Sequence, residues 1–421
     1  MRTNNLRIIY PWALFVAMVA TLLLYFGLQA LFTTLPLYII TIGGSPADNG
    51  LATWALSLAA LITRPLAGVL ADRWGRKPVL VLGAVLMGGV PLLYAFVPNV
   101  PLLLSIRAVH GVGLALFSTA YPALIADMLP SSRYGEGLGL ANAAPMLSMA
   151  IAPLLGEWAA REFGFDVLFL ALGVVGAVGM LATLMLPGRR DGVHDDTLRR
   201  HSGQALRRHS GQALRRRLPR AEAKGSAGQA GLRQALRQPG VRTGTLGMAL
   251  LGLPFGAFMT FLSLLANERG LVGTGWAFTA FAAAASLSQP LAGRLADRWE
   301  TRKTAWMGLG LVGLTAGGLA VVTDQWMLLV LAGLFGVGFG VARAGLEACV
   351  QGSVGPSLRG SAAAAQYTAY DLLIGFGSWG LGVLADATDY HVMYFVVSGI
   401  TLLGLLAGGL VEGGMGRTEE D

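Results

Sequence analysis

PLAGVLADRWGRK, residues 65–77, returns 225 positions later as PLAGRLADRWETRK, residues 290–303. Between Pro65 and Trp74 one position in ten differs from its counterpart, Val69 against Arg294. In both copies an Asp-Arg turn closes an apolar run and a second apolar run follows. A charged turn between two apolar segments, present twice at long spacing, points to a chain built from two related halves.

Outward from the repeat, the composition is that of a membrane protein. Hydrophobic residues form 54% of the 421 and charged residues 13%, about half the roughly 25% charge of a soluble domain. Most apolar runs exceed 18 residues without a polar stripe, which reads as spans rather than surface helices. Twelve are expected, at 11–42, 50–71, 78–97, 101–128, 135–158, 166–187, 241–266, 272–296, 304–322, 326–352, 360–386 and 390–412. None alternates with period two, and each is long enough to cross about 30 Å at about 1.5 Å per residue, so helices rather than barrel strands are expected. The first run, Tyr10 to Ile42, is too long for the apolar core of a cleaved signal peptide and reads as a retained helix. Cys349, the one cysteine, excludes an intramolecular disulfide and a thiol-built zinc cluster.

A net charge of +8 would raise the question of nucleic acid in a soluble chain, but position answers it. Thirteen of the 31 Lys and Arg lie between Arg189 and Arg237. With a cytoplasmic N-terminus, 24 fall in cytoplasmic loops and tails, two (Arg161 and Arg269) outside, and five (Arg64, Arg107, Arg242, Arg294 and Arg343) within spans. That asymmetry predicts a multi-pass protein of the cell (inner) membrane with both termini cytoplasmic and no nucleic-acid partner. The repeat then maps the turn between spans 2 and 3 onto that between spans 8 and 9. The expected architecture is an all-α integral membrane protein with two pseudo-symmetric six-helix bundles, 1–187 and 241–412, a basic loop over 188–240 and a tail over 413–421. In the loop, LRRHSGQA at 198–205 is repeated at 206–213. It reads as a solvated tether, with a basic helix on the inner leaflet as the alternative. His201 and His209 lack the companions of a metal site, and no metal or cofactor is expected.

GVLADRWGRK, Gly68 to Lys77, resembles the loop motif of the major facilitator superfamily, G-x-L-a-D-r-x-G-r-k, at every defining position. Together with the spans, the half-repeat and the central loop, the resemblance covers essentially the whole chain. It implies the twelve-helix major facilitator fold, alternating access, and a loop that latches the halves in the outward-open state. The implied latch comprises Gly68, Asp72, Arg73, Gly75, Arg76 and Lys77, with Asp72 facing the start of span 11 near Gly360 and Ser361 and Arg76 pairing with Asp127. Its second copy offers Gly293, Asp297 and Arg298, and departs with Glu300 and Thr301 where the first has Gly75. The residue types suit such a latch, since Gly68 admits close helix approach, Asp72 can accept from the free N–H groups of a helix start, and the cations hold the turn at the inner leaflet. SIRAVHGVGLALFSTAYPALIAD, 105–127, is similar to the family's second motif, whose arginine is tied to proton coupling in exporters; Arg107 matches it. Gly139, Ser148, Ala152, Pro153 and Gly156 keep the spacing of the antiporter motif G-x8-G-x3-G-P-x2-G-G, with Glu157 in place of its last glycine.

Ionisable groups inside spans are costly and mark function or pairing. Arg107 should face a partner or a cavity, with snorkelling as the alternative; His110, one turn on, shares its face. Arg343 and Glu347 stand four apart, close enough to pair on one helix. Asp371, beside Gln366, Tyr367 and Tyr370, is the first candidate for a proton site and Glu347 the second, with structural pairing to Arg64 or Arg343 as the alternative. Arg64, Arg107 and Arg343 outnumber the two carboxylates, and helix 1 offers Tyr25, Gln29, Thr33 and Thr34 but no acid. A neutral, zwitterionic or anionic cargo follows. Family analogy places helices 1, 4, 7 and 10 on the central path, which makes Gln29, Thr33, Phe255, Phe258 and Phe261 cavity candidates alongside Arg64, Arg343, Tyr367 and Tyr370.

The expected function is proton-coupled efflux of a small amphipathic solute by a monomer, its partners being that solute, protons and the bilayer. A proton-coupled importer of a sugar or organic acid and a non-transporting membrane sensor remain open alternatives. No phosphate-binding G-x-x-x-x-G-K-[ST] motif is present, and with one mid-span histidine and one cysteine a membrane-embedded enzyme has little basis.

Overall fold

A computed structural model describes residues 2–128, 134–187, 232–298, 301–355 and 358–415, which are helical almost throughout. The duplicated LRRHSGQA lies outside the described residues. The first half contains α1 (Arg2–Thr41), α2 (Pro46–Trp74), α3 (Arg76–Leu93), a single 3-10 turn (Tyr94–Phe96) and α4 (Val100–Met128). One long helical segment, Tyr134–Met185, completes it and breaks at Gly164 (φ 85°, ψ 170°) into α5 (134–163) and α6 (165–185). Only glycine takes that conformation without strain, so the chain reverses there. The second half contains α7 (Pro239–Glu268), α8 (Thr274–Arg298), α9 (Thr301–Ala320), α10 (Gln325–Gly352), α11 (Arg359–Ala387) and α12 (Tyr390–Met415).

Eight described helical segments are long and apolar enough to cross a membrane, and one of them, Ala143–Met185, holds two crossings in 43 residues. The Ala- and Gly-rich α8, α9 and α11 fall short in hydropathy, as helices do that trade large side chains for close packing.

The 225-residue offset of the repeated turn extends into the packing. Gly83 of α3 sits where a Cβ would meet the Phe117 backbone of α4 at 2.5 Å, and Gly308 of α9 sits against the Ala342 backbone of α10 at 2.4 Å. A Cβ on Gly111 of α4 would meet Leu56 O of α2 at 2.2 Å, and one on Gly336 of α10 would meet Phe281 O of α8 at 2.4 Å. All four residues of the second set are the first set displaced by 225. Two bundles are therefore built on one helix-packing plan, in which missing side chains let backbones touch and dispersion contacts replace the absent hydrophobic drive.

Helix starts are sealed locally. Ser45 and Asp48 form a reciprocal capping box at α2, behind Pro46 in the first turn, and Asp324 accepts from Met327 N at 3.0 Å at α10. The Arg269 guanidinium donates to the Ala320 and Val322 carbonyls at the end of α9, covering acceptors that the helix leaves without partners.

Gly88 of α3 and Gly176 of α6 face each other backbone to backbone, each Cβ position within 2.6 Å of the other's carbonyl oxygen. Gly88→Val is expected to destabilise the first bundle by about 1–3 kcal/mol through overpacking. A lowered thermal midpoint of the purified protein would register it; an unchanged midpoint would contradict the close approach.

Between the bundles the contacts are lopsided. We call the side carrying the Asp-Arg turns the basic face and the other the far face. Toward the far face α2 abuts α11, with Gly50 against Ser378 O, Gly382 against Pro46 O, and Trp54 edge-on to Phe376 at 5.7 Å. Toward the basic face α2 and α11 part: a Cβ on Gly68 or on Gly360 would meet nothing within 4 Å. The close approach expected at Gly68 is thus absent from this conformation, in which the far-face halves of the helices close the seam.

Candidate functional site

Arg64 on α2 and Asp371 on α11 meet across the bundle boundary in an ion pair, Nη1 to Oδ2. It stands where the α2–α11 seam begins to open, one helical turn before Gly68. The side chains are 36% and 19% exposed, so protein encloses the pair only in part. Beside it, Arg343 Nε donates to Glu347 Oε1 at 2.9 Å along α10, and the same oxygen accepts from Tyr367 Oη of α11 at 2.8 Å. The Arg343 guanidinium lies 5.8 Å from the Tyr367 ring centroid, a cation–π distance. Tyr370 is buried against Phe255, 5.8 Å between rings, and its hydroxyl has no partner. Arg64, Asp371, Arg343, Glu347, Tyr367 and Tyr370 thus form one neighbourhood, drawn from α2, α10 and α11. Two intramembrane cations are matched there by two carboxylates.

Arg107 on α4 is elsewhere, nearer the far face. It is 4% exposed, and its Nε and Nη1 have no hydrogen-bond partner. His110, fully buried, has neither ring nitrogen bonded, and its ring centroid is 6.5 Å from that of Tyr94, whose hydroxyl meets the Arg107 guanidinium. No carboxylate pairs with Arg107 among the described residues. Arg107 lines a small cavity between the bundles with Phe32 and Leu35 of α1, Asn49 and Thr53 of α2, and Met259 and Thr260 of α7. Snorkelling does not describe this side chain, because burial this deep keeps it from the interface.

Several other candidates are placed differently from expectation. Phe258 and Phe261 are fully buried in the core of the second bundle. Phe258 stacks on Phe335 at 4.7 Å and Phe261 lies 6.3 Å from Tyr390; Met259 and Thr260 face the cavity instead. Thr33 is committed to packing, its Oγ1 donating to Ala30 O or Pro153 O, each at 3.0 Å. Gln29 is 6% exposed and donates to Pro145 O at 3.1 Å, tying α1 to α5. In the turn motif, Arg76 donates to Ala123 O on α4, one turn short of Asp127, and Lys77 Nζ donates to Leu184 O at 3.0 Å. Gly75 takes φ 90° between α2 and α3, and Arg73 stands in the last turn of α2. The side chains of Asp127, Asp297 and Arg298, together with Gly293, lie outside the described residues.

Sequence reasoning missed one buried acid. Glu157 of α5, 4% exposed, crosses the bundle boundary at the far face and accepts from Gly273 N at 3.1 Å and from Gly275 N at the start of α8. Arg161, one turn on, donates to it at 2.8 Å. Gly275 has no room for a Cβ, which would lie 2.4 Å from Leu154 Cα, and Thr279 Oγ1 donates to Ala150 O at 2.5 Å below it. A negative carboxylate on the free N–H groups of a helix start is favoured by both hydrogen bonding and the helix dipole. Thr53 and Thr260 bond at 2.9 Å across the same seam.

Comparison with known proteins fits this geometry. The family profile described as Major Facilitator Superfamily matches residues 17–273 and 244–413. The multi-drug resistance efflux pump PmrA of Streptococcus pneumoniae is 34% identical over 128 residues, 30% of this chain and 31% of that one. The quinolone resistance protein NorA of Staphylococcus aureus is 25% identical over 181 residues, 43% of this chain and 45% of that one. The matched segments span less than half the length of these curated relatives. Among solved structures, the nucleoside transporter NupG superposes with a TM-score of 0.71 at 14% identity, over 94% of this chain and 98% of that one, a likeness of fold.

Proposed function

Starting from the fact that the chain belongs to the major facilitator superfamily, we propose that it is a proton-coupled exporter of a small amphipathic solute, working by alternating access. The observation that carries this reading is the Arg64–Asp371 pair. It is the one described ion pair that joins the two bundles, it is placed at the edge of their seam, and it contains an acid that a proton would neutralise. Protonation of Asp371 would remove its hold on Arg64 and with it a charge bond between the halves; cargo arriving in the open part of the seam would do related work from the other side. Such a bistable contact, biased by two ligands, is what coupling requires.

In this proposal the basic face is cytoplasmic and both termini lie there, in line with the lysine and arginine asymmetry. The conformation described is then inward-facing, closed outside by Glu157, the threonine pair and the tight α2–α11 seam. The turn latch at Gly68 would engage in the opposite state. Segments 1–187 and 241–412 act as the rocking bodies and 188–240 as their tether, in a monomer of the cell membrane. Similarity to two drug-resistance efflux proteins favours export over import.

The test is proton movement in proteoliposomes under an imposed pH gradient. Adding an amphipathic solute should dissipate the gradient only where the protein is present, with the solute moving against the proton. Solute movement that ignores the pH gradient would overturn the coupling; no movement of either would favour the sensor alternative.

A further inference from the structure

We infer that the cavity around Arg107 is a binding site for an anionic group, so that the preferred cargo is an amphipath bearing a single carboxylate or similar anion. This rests on the transport reading above and names its substrate class.

Charge accounting leads to it. Arg64 takes Asp371 and Arg343 takes Glu347, and the remaining buried acid among the described residues, Glu157, takes Arg161 and the start of α8. Among the described arginines buried within spans, Arg107 is left over. It is 4% exposed, with Nε and Nη1 unpaired; beside it neither ring nitrogen of His110 has a partner, and the polar group that meets its guanidinium is the neutral hydroxyl of Tyr94. Native structures rarely leave buried donors without acceptors, and a buried guanidinium tolerates it least. Each of these groups can donate a hydrogen bond; an acceptor with negative charge is what the cluster lacks. The cavity wall supplies the rest of a recognition site. Thr53 and Thr260 bring hydroxyls and Asn49 an amide, while Phe32, Leu35 and Met259 offer an apolar surface for the body of the ligand. Residues of both bundles contribute, so an anion held here bridges the halves and its binding differs between the two states. In this conformation the cavity is water-sized, so it widens to admit a ligand. Guanidinium with a planar acceptor also explains arginine rather than lysine at this position, through its fork of donors.

The experiment compares three probes with one aromatic body: 1-naphthylacetate, 2-(1-naphthyl)ethylamine and 2-(1-naphthyl)ethanol. Equilibrium binding to the purified full-length protein is expected to favour the anion at least tenfold over the amine and the alcohol. Arg107→Gln should abolish that preference. Should Arg107→Gln fail to fold, Met259→Glu carries the test, because it places a competing carboxylate on the wall of the cavity that Arg107 also lines. Met259→Glu is expected to keep or raise the thermal midpoint while losing the anion preference. Equal binding of the three probes to wild type, or an anion preference that survives in a folded Met259→Glu protein, would overturn the inference. Solute-driven proton flux without anion preference would likewise overturn it while leaving the transport reading intact. An Arg107-dependent anion preference in a protein that moves neither proton nor solute would uphold the site and overturn transport.

Discussion

Asp371→Asn is expected to reduce solute-driven proton flux at least tenfold while leaving a folded protein that still binds cargo. Asparagine keeps the shape of the side chain and one acceptor for Arg64, but it cannot carry the proton whose arrival and departure open and close the α2–α11 bond. The stability cost should be modest. The two side chains are 36% and 19% exposed, so the loss lies between that of a surface pair and a buried one, about 1–2 kcal/mol. A partner substitution separates coupling from scaffolding. If the pair is only a brace, the double variant Arg64→Gln with Asp371→Asn should recover both stability and flux, since no charge is left stranded. If Asp371 carries the proton, stability should recover and flux should not. Unchanged coupling in Asp371→Asn would remove this residue from the role, and Glu347→Gln would then be the variant to measure, because Glu347 holds the other acid of the same neighbourhood.

The repeated Asp-Arg turn carried more of the fold than its length suggests, because the 225-residue offset it defines also relates Gly83 to Gly308 and Gly111 to Gly336 at helix crossings. Span positions were legible too, since the bilayer imposes length and apolarity on every crossing. The site was legible in parts. Arg64, Asp371, Arg343 and Glu347 stand out as costly charges in apolar runs, and the Arg343–Glu347 pairing follows from a spacing of four. That Arg64 meets Asp371 does not follow from any local pattern, because 307 residues separate them. Helix rotation was equally hidden: an analogy that places helix 7 on the central path cannot say whether Phe258 or its neighbours Met259 and Thr260 look inward. In the structure Phe258 completes an aromatic cluster with Phe278, Phe281 and Phe335, and the burial of that cluster sets the rotation. In the sequence Glu157 shows only as a departure from the last glycine of the antiporter spacing. Its partners, the N–H groups of Gly273 and Gly275, lie 116 and 118 residues on, and the one nearby signal was Arg161 at a spacing of four.

Glu157 therefore yields the other large expected effect: Glu157→Gln should open the far-face seam. The carboxylate accepts from two backbone N–H groups and from Arg161, and hydrogen bonds to a charged group contribute about 1.5–3 kcal/mol each. An amide retains one acceptor and no charge, so a net loss of about 2–3 kcal/mol is expected, equivalent to about a 30- to 150-fold shift of the two-state equilibrium. Thr279 reports it, because its hydroxyl bonds Ala150 O inside the seam. A Thr279→Cys probe in a Cys349→Ser background should react slowly with a membrane-impermeant maleimide added outside, and at least tenfold faster once Glu157→Gln is introduced. Glu157→Gly decides between two accounts of this residue. If position 157 served only close packing, glycine would restore the antiporter pattern, tighten the seam and slow labelling. If the acid holds the start of α8, glycine removes the hold entirely, and labelling should be at least as fast as with glutamine.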